Sequence, residues 1–358
     1  MRKGTIIRKR KRMIKPLNAK SLKENPEEYL RSFSRKKDFL VAIDTDGCIV
    51  DNMNGKQMVI FHPLFMEFYQ LWGIETYFRE IGEFYNLFST TRGFNRFLTL
   101  RDTIHTLHER QDVQEAAKLS GTELPDPQPL IDFINYASQA GLGLGNPSLE
   151  SFLQTRPSSL PLWKLLAWSE AVNKTFPFFT AKIPPFPFVE ETLARISAHA
   201  DIVVVSQTPY DDLLHYWRTH KLLQYIRIIC GQEMGSKSHH IAMLIKQGGY
   251  YQDQVLMIGD AKGDLEAIKE HQGLFYPILP GKEENSWQEC LSSFELFLNN
   301  AYKGQEENAR IARFSDILQE KAEWNDPDYD HTHIYRKKQN IRQKLYAMLN
   351  PEGKLRIL

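Results

Sequence analysis

Residues 39–51 read Phe39-Leu40-Val41-Ala42-Ile43-Asp44-Thr45-Asp46-Gly47-Cys48-Ile49-Val50-Asp51. The first five form an unbroken apolar run, the pattern of a strand buried on both faces. Two carboxylates separated by one residue leave its carboxyl end, and a glycine follows at once. In extended backbone, residues two apart point the same way. Asp44 and Asp46 are therefore expected to face one site at the sheet edge, where open α/β folds bind ligands. Gly47 lets the chain turn away sharply. Carboxylates this close repel unless a cation or a shared proton lies between them. The arrangement suggests Mg²⁺, a nucleophile and an acid/base within one short loop. Asp-x-Asp-Gly also occurs in calcium loops and ordinary turns. A calcium loop needs further oxygen ligands at regular spacing and a closing Glu, which Cys48-Ile49-Val50 fits poorly.

Three later segments sharpen this reading. Ile202-Val203-Val204-Val205 is a β-branched run ending in Ser206-Gln207-Thr208-Pro209. Lys237 lies in Gly235-Ser236-Lys237-Ser238, just before a helical pattern at 241–245. Val255-Leu256-Met257-Ile258 is another buried-strand pattern, ending in Gly259-Asp260-Ala261-Lys262-Gly263-Asp264. Strand-then-Asp, strand-then-Ser, Lys at a helix start and strand-then-Gly-Asp, in that order, resemble the four motifs of the haloacid dehalogenase-like (HAD) hydrolase superfamily. The resemblance covers about residues 38–52 and 184–280.

It implies that Asp44 is a nucleophile forming an aspartyl-phosphate and that Asp46 exchanges protons with the leaving oxygen and with water. It implies Mg²⁺ held by Asp44, Asp46 (through its backbone carbonyl) and Asp260, with Asp264 as an auxiliary or outer ligand. Ser206 and Lys237 would hold phosphoryl oxygens, with Thr208 beside them. Superfamily dehalogenases lack an acid at the Asp46 position and phosphonatases typically have Ala, so Asp46 points to phosphate esters. Ser206 also reads as an ordinary turn or cap residue, and Asp264 as a first-turn acid of its helix.

The stretch Thr90-Thr91-Arg92-Gly93-Phe94-Asn95-Arg96-Phe97 resembles a Thr-Arg-Gly-x-Asn-Arg-Phe segment of a phosphoglycolate-phosphatase-like branch. Arg92, Asn95 and Arg96 are residue types that recognise anions and hydroxyls and are expected to bind substrate. A helix-start turn with solvated arginines is the plainer alternative. Lys56, also a candidate substrate contact, stands where β-phosphoglucomutases carry His. The leading expectation is a Mg²⁺-dependent phosphatase of a small phosphorylated metabolite. The alternatives are a phosphomutase of the β-phosphoglucomutase type and a catalytically weak binding or regulatory protein on the same fold. His105, His108, His239, His240 and the run 326–333 have metal-ligand residue types without a recognisable ligand spacing.

Alternating strands and helices predict an α/β fold: a Rossmann-like parallel sheet with helices on both faces. Strands are expected at 38–43, 202–205, 226–230, 255–259 and 274–279. The core would comprise 38–54 and 184–285. An α-helical cap would be inserted over 55–183, and a helical C-terminal extension would occupy 286–358. Residues 1–37 read as a basic arm: residues 1–15 carry eight of the 45 Lys and Arg and no acid, leaving 37 against 44 acidic residues elsewhere. No aromatic residue interleaves those charges for base stacking, which argues against nucleic acid as a partner. Apolar stretches fall short of a membrane span, and the N-terminus lacks the apolar region of a secretory signal. Three sparse cysteines give no disulfide framework. A cytoplasmic location is expected.

Overall fold

The structure is a computed structural model that describes residues 17, 24–180 and 183–349. Most of the basic arm therefore lies outside the described residues. Five strands form one parallel sheet in the order β3-β2-β1-β4-β5: β1 Phe39–Ile43, β2 Ala200–Val205, β3 Ile228–Cys230, β4 Val255–Gly259 and β5 Leu274–Pro277. Every residue of β2, β3, β4 and β5 is buried, which explains why these strands read as continuous apolar runs rather than alternating ones. The α/β fold with a parallel sheet is as the sequence predicts.

Register fixes where the site falls. Ile43 pairs with Val204 on one side and Ile258 on the other, so β1, β2 and β4 end level. The sheet grows from β1 to β2 and β3 in one direction and to β4 and β5 in the other. The carboxyl end of β1 is thus the switch point, where diverging connections leave a crevice. The strands expected at 38–43, 226–230 and 274–279 are shorter, and that expected at 202–205 starts earlier, at Ala200. β3 begins at Ile228, and the Arg227 backbone N–H just before it donates to Ile202 O of β2.

Between β1 and β2 the chain is helical, including His62–Tyr69, Glu75–Glu83, Arg96–Glu109, Gln111–Ser120, Gln128–Gln139, Asn146–Thr155 and Leu160–Thr180. This insertion has a hydrophobic cluster of its own, built around Phe65, Phe78, Phe97, Phe133 and Trp168. The helices Arg96–Glu109 and Gln111–Ser120 are separate. Arg110 takes an extended conformation between them, where its guanidinium is buried against Glu80 and Asp112. Two π-helical segments, Lys56–Phe61 and Phe84–Phe88, join the insertion to the sheet side.

The last described helices are Glu283–Leu298, Gln305–Ile317 and His331–Leu349. Trp287 donates to Cys48 O at 2.8 Å, and Phe297 packs on Phe39 of β1. Farther along, His331 and Arg342 return to the insertion, pairing with Glu80 and Glu83. Among the described residues, no helix is long and apolar enough to cross a membrane.

Candidate active site

Asp44 continues β1, its N–H donating to Ile258 O. The next residue starts a turn in which Thr45 O accepts from Cys48, Ile49 and Val50, and Trp217 donates to Thr45 Oγ1 at 3.1 Å. Gly47 has φ +74°, and a Cβ there would lie 2.2 Å from Asp260 Oδ2. Glycine is therefore required both by conformation and by space.

Asp44, Asp260 and Asp264 converge, all buried, with one carboxylate oxygen from each lying within 4.8 Å of the others. Asp260 leaves the end of β4, while Asp264 sits in the first turn of the helix Lys262–Lys269. Gly259 permits that approach, since a Cβ there would lie 2.5 Å from the Asp264 carboxyl. Asp264 serves its own helix and the cluster together: Oδ2 accepts from Ala261 N at 3.1 Å and Oδ1 from Lys237 Nζ at 2.5 Å. Lys237, at the start of the helix Lys237–Gly248, also donates to Asp44 Oδ2 at 2.7 Å.

The electrostatics follow from burial. Removal from water pushes the Asp44 carboxyl up; Lys237 opposes this and Asp264 adds to it, leaving it at about 6. Burial likewise raises Asp260 to about 7 against the opposing guanidinium of Arg92. Burial lowers the Lys237 ammonium, but Asp264 and Asp44 outweigh it and hold it above its ordinary value. Three carboxylates thus face two cations in a desolvated site. Asp260 Oδ1 is buried with no hydrogen-bond partner among the described residues.

Asp46 stands in a separate polar group. Its Oδ1 accepts from Asn52 Nδ2 at 2.5 Å, and its Oδ2 from Thr208 Oγ1 at 3.0 Å and Lys56 Nζ at 3.5 Å. Thr208 and Lys56 are therefore both brought to Asp46. Ser206 is buried just beyond β2, its Oγ accepting from Thr208 N at 3.3 Å.

The polar stretch at 90–97 divides. Arg92 is buried in the carboxylate cluster, with Nε and Nη2 on Asp260 Oδ2 at 2.9 and 2.8 Å. Asn95 caps the helix Arg96–Glu109 by accepting from Phe97 N, and donates to Leu144 O. Arg96 donates to Ser169 and Asn173 and lies over the Phe61 ring. Those partners lie within the insertion. Asn52, which orients Asp46 and also accepts from Gly47 N at 3.1 Å, was not singled out from the sequence. A lone Asn in a helix start carries no motif that would have marked it.

No family model matches this chain, and no curated protein does. Solved structures share part of the arrangement at low identity. A subfamily IA hydrolase from Geobacter sulfurreducens shares 11% identity, with 68% of this chain and 89% of that chain covered and a TM-score of 0.35. A haloacid dehalogenase-like hydrolase from Streptococcus pneumoniae shares 13%, covering 72% and 98%, with a TM-score of 0.36. CbbY from Rhodobacter sphaeroides, solved in complex with phosphate, shares 12%, covering 68% and 87%, with a TM-score of 0.35.

Proposed function

We propose that the chain is a Mg²⁺-dependent phosphatase of a small phosphorylated metabolite, with Asp44 as the nucleophile. One observation carries this reading. Asp44, Asp260 and Asp264 meet at the carboxyl edge of the sheet, with Lys237 between two of them and an Asp260 oxygen left without a partner. The donor set is all carboxylate oxygen, which suits a hard divalent cation. Asp44, Asp260 and Asp264 would hold it, with the Asp46 carbonyl as a further ligand. When bound, the cation would neutralise charge on phosphoryl oxygens facing an anionic nucleophile.

The residues perform the rest. Asp44 attacks phosphorus, and the bond from phosphorus to the leaving oxygen breaks as Asp46 gives that oxygen a proton. Water then attacks the phosphoryl group on Asp44 while Asp46 takes back a proton. The phosphorus–Asp44 bond breaks, releasing phosphate and restoring the carboxylate. Lys237 fixes Asp44 for attack and, with Ser206, receives phosphoryl oxygens. Thr208, Lys56 and Asn52 orient Asp46. The insertion over 55–183 serves as a cap that excludes water from the site. Three buried free cysteines suit a reducing, cytoplasmic setting.

The test is turnover of an aryl phosphate by the purified chain, with added Mg²⁺ and in excess chelator. Metal-dependent release of phosphate supports the reading, and undiminished turnover in chelator would remove the metal from it. Product analysis with a sugar monophosphate separates hydrolysis from transfer.

A further inference from the structure

We infer that Arg92 is a positioning residue that ties the helical insertion to Asp260, so that metal binding and the seating of the Ser89–Gly93 loop support each other. This rests on the reading of Asp260 as a metal ligand.

The geometry is specific to one oxygen. Nε and Nη2 of Arg92 both reach Asp260 Oδ2, at 2.9 and 2.8 Å, and Oδ1 is left free. The two side chains are 3% and 2% exposed. A planar guanidinium with two nitrogens on one carboxylate oxygen fixes the rotation of the carboxyl group. It thereby determines where the free oxygen points. The third arm, Nη1, donates to Leu87 O at 3.1 Å, so the guanidinium is itself anchored. On the remaining side the Gly47 turn closes in: a Cβ there would lie 2.6 Å from Arg92 Nη2.

The loop presenting Arg92 is braced from two directions. Arg92 N donates to Ser89 O at 3.0 Å, Ser89 and Thr91 hydroxyls meet at 2.7 Å, and Thr91 Oγ1 donates to Tyr85 O at 2.6 Å. Gln319, from the C-terminal part of the chain, accepts from Thr90 N and donates to Phe88 O. Arg92 is thus presented by a framework rather than by a free loop, which reduces the ordering cost of placing it.

A guanidinium near a cation site exerts two opposed effects. Its charge repels the cation, while its hydrogen bonds orient a ligand carboxylate and satisfy the oxygen that does not bind. The bonds act at contact distance on a desolvated group, whereas the repulsion acts across the carboxylate. Orientation therefore dominates. Loss of such an outer partner lowers metal affinity by about 10–100-fold in metal sites generally. Because linkage is reciprocal, metal bound at Asp260 must in turn hold Arg92 and its loop in place.

The test uses the full chain stripped of metal with chelator and then dialysed. MgCl₂ is titrated calorimetrically into the wild type, Arg92→Met and Arg92→Lys, with circular dichroism recorded for each. The expected result is about 10–100-fold weaker binding for Arg92→Met and an intermediate value for Arg92→Lys. Unchanged or tighter binding by a natively folded Arg92→Met would overturn the inference and leave the phosphatase reading standing. Failure of the wild type to bind Mg²⁺ would instead sink the metal reading itself. Hydrogen exchange in the wild type needs no variant to fold: Mg²⁺ should slow exchange of the Arg92 and Phe94 amides. Identical exchange with and without Mg²⁺ would contradict the coupling.

Discussion

Replacing Lys237 with Met should cost the metal-free protein about 3–5 kcal/mol of stability, the range for removing one partner of a buried ion pair. Lys237 bonds Asp44 at 2.7 Å and Asp264 at 2.5 Å, and those carboxylates are 7% and 0% exposed. The two do not contribute equally. Asp44 is already raised to about 6. Near pH 7.5 its further rise can cost only about 2 kcal/mol before proton uptake relieves it. The remainder must come from Asp264, which loses its ion pair with Lys237. The double variant Lys237→Met/Asp264→Asn removes that stranded charge and keeps an acceptor for Ala261 N, so it should recover about half of the loss. Urea unfolding in chelator near pH 7.5 measures both, read at constant dependence on denaturant. A single-variant loss below about 1 kcal/mol, repeated in the double variant, would show that Lys237 is solvated and that the cluster is not desolvated.

Gly47→Ala should lower turnover of an aryl phosphate by about 100-fold with the fold retained, because its Cβ displaces the Asp260–Arg92 pair and small displacements of a reacting site are that costly; near-normal turnover would mean that the turn relaxes freely. Arg342→Met should lose roughly 3 kcal/mol in urea unfolding, since Arg342 bonds a fully buried Glu83 through Nε and Nη2 at 2.8 and 2.6 Å; a loss near zero would show that the C-terminal helix does not hold the insertion. His62 is buried beside Phe78, and burial, with Arg79 and Arg342 adding to it, holds its pKa well below 6.5. The stability this provides is complete above pH 6.5 and is lost as pH falls, at about 1.4 kcal/mol per pH unit. Asp44 and Asp260 have the opposite sign: their raised pKa values favour the folded state below pH 3.8, an advantage lost as pH rises through about 6 and about 7. The informative quantity is therefore the difference between wild type and His62→Leu from pH 6.5 to 5, where the variant should show the shallower acid loss; parallel curves would refute a neutral buried imidazole.

The sheet was legible because parallel strands buried on both faces leave unbroken apolar runs, and Asp44, Asp260 and Ser206 were legible because such runs end at the crevice. Residue types carried the chemistry that far, but partners were another matter. Arg92 was recognisable as an anion-binding residue, yet its anion is a carboxylate 168 positions away, just beyond β4. Nothing local distinguishes that pairing from a substrate contact. Arg342 and Glu83 are 259 positions apart, so the return of the last helix to the insertion is invisible to periodicity. The break between the helices Arg96–Glu109 and Gln111–Ser120 has the same origin. Arg110 is an ordinary helix former, and its buried pairing with Glu80 overrides that preference.

The account stands most directly on the covalent role of Asp44. The purified chain, mixed briefly with Mg²⁺ and an aryl phosphate, would be acid-quenched, reduced with borohydride and digested for peptide mass spectrometry. An acyl phosphate is reduced under these conditions whereas a free carboxylate is not. The account predicts reduction at Asp44 alone, dependent on substrate and absent from Asp44→Asn, which should also lack turnover. Substrate turnover with no modification at Asp44, or sustained turnover by Asp44→Asn, would contradict it.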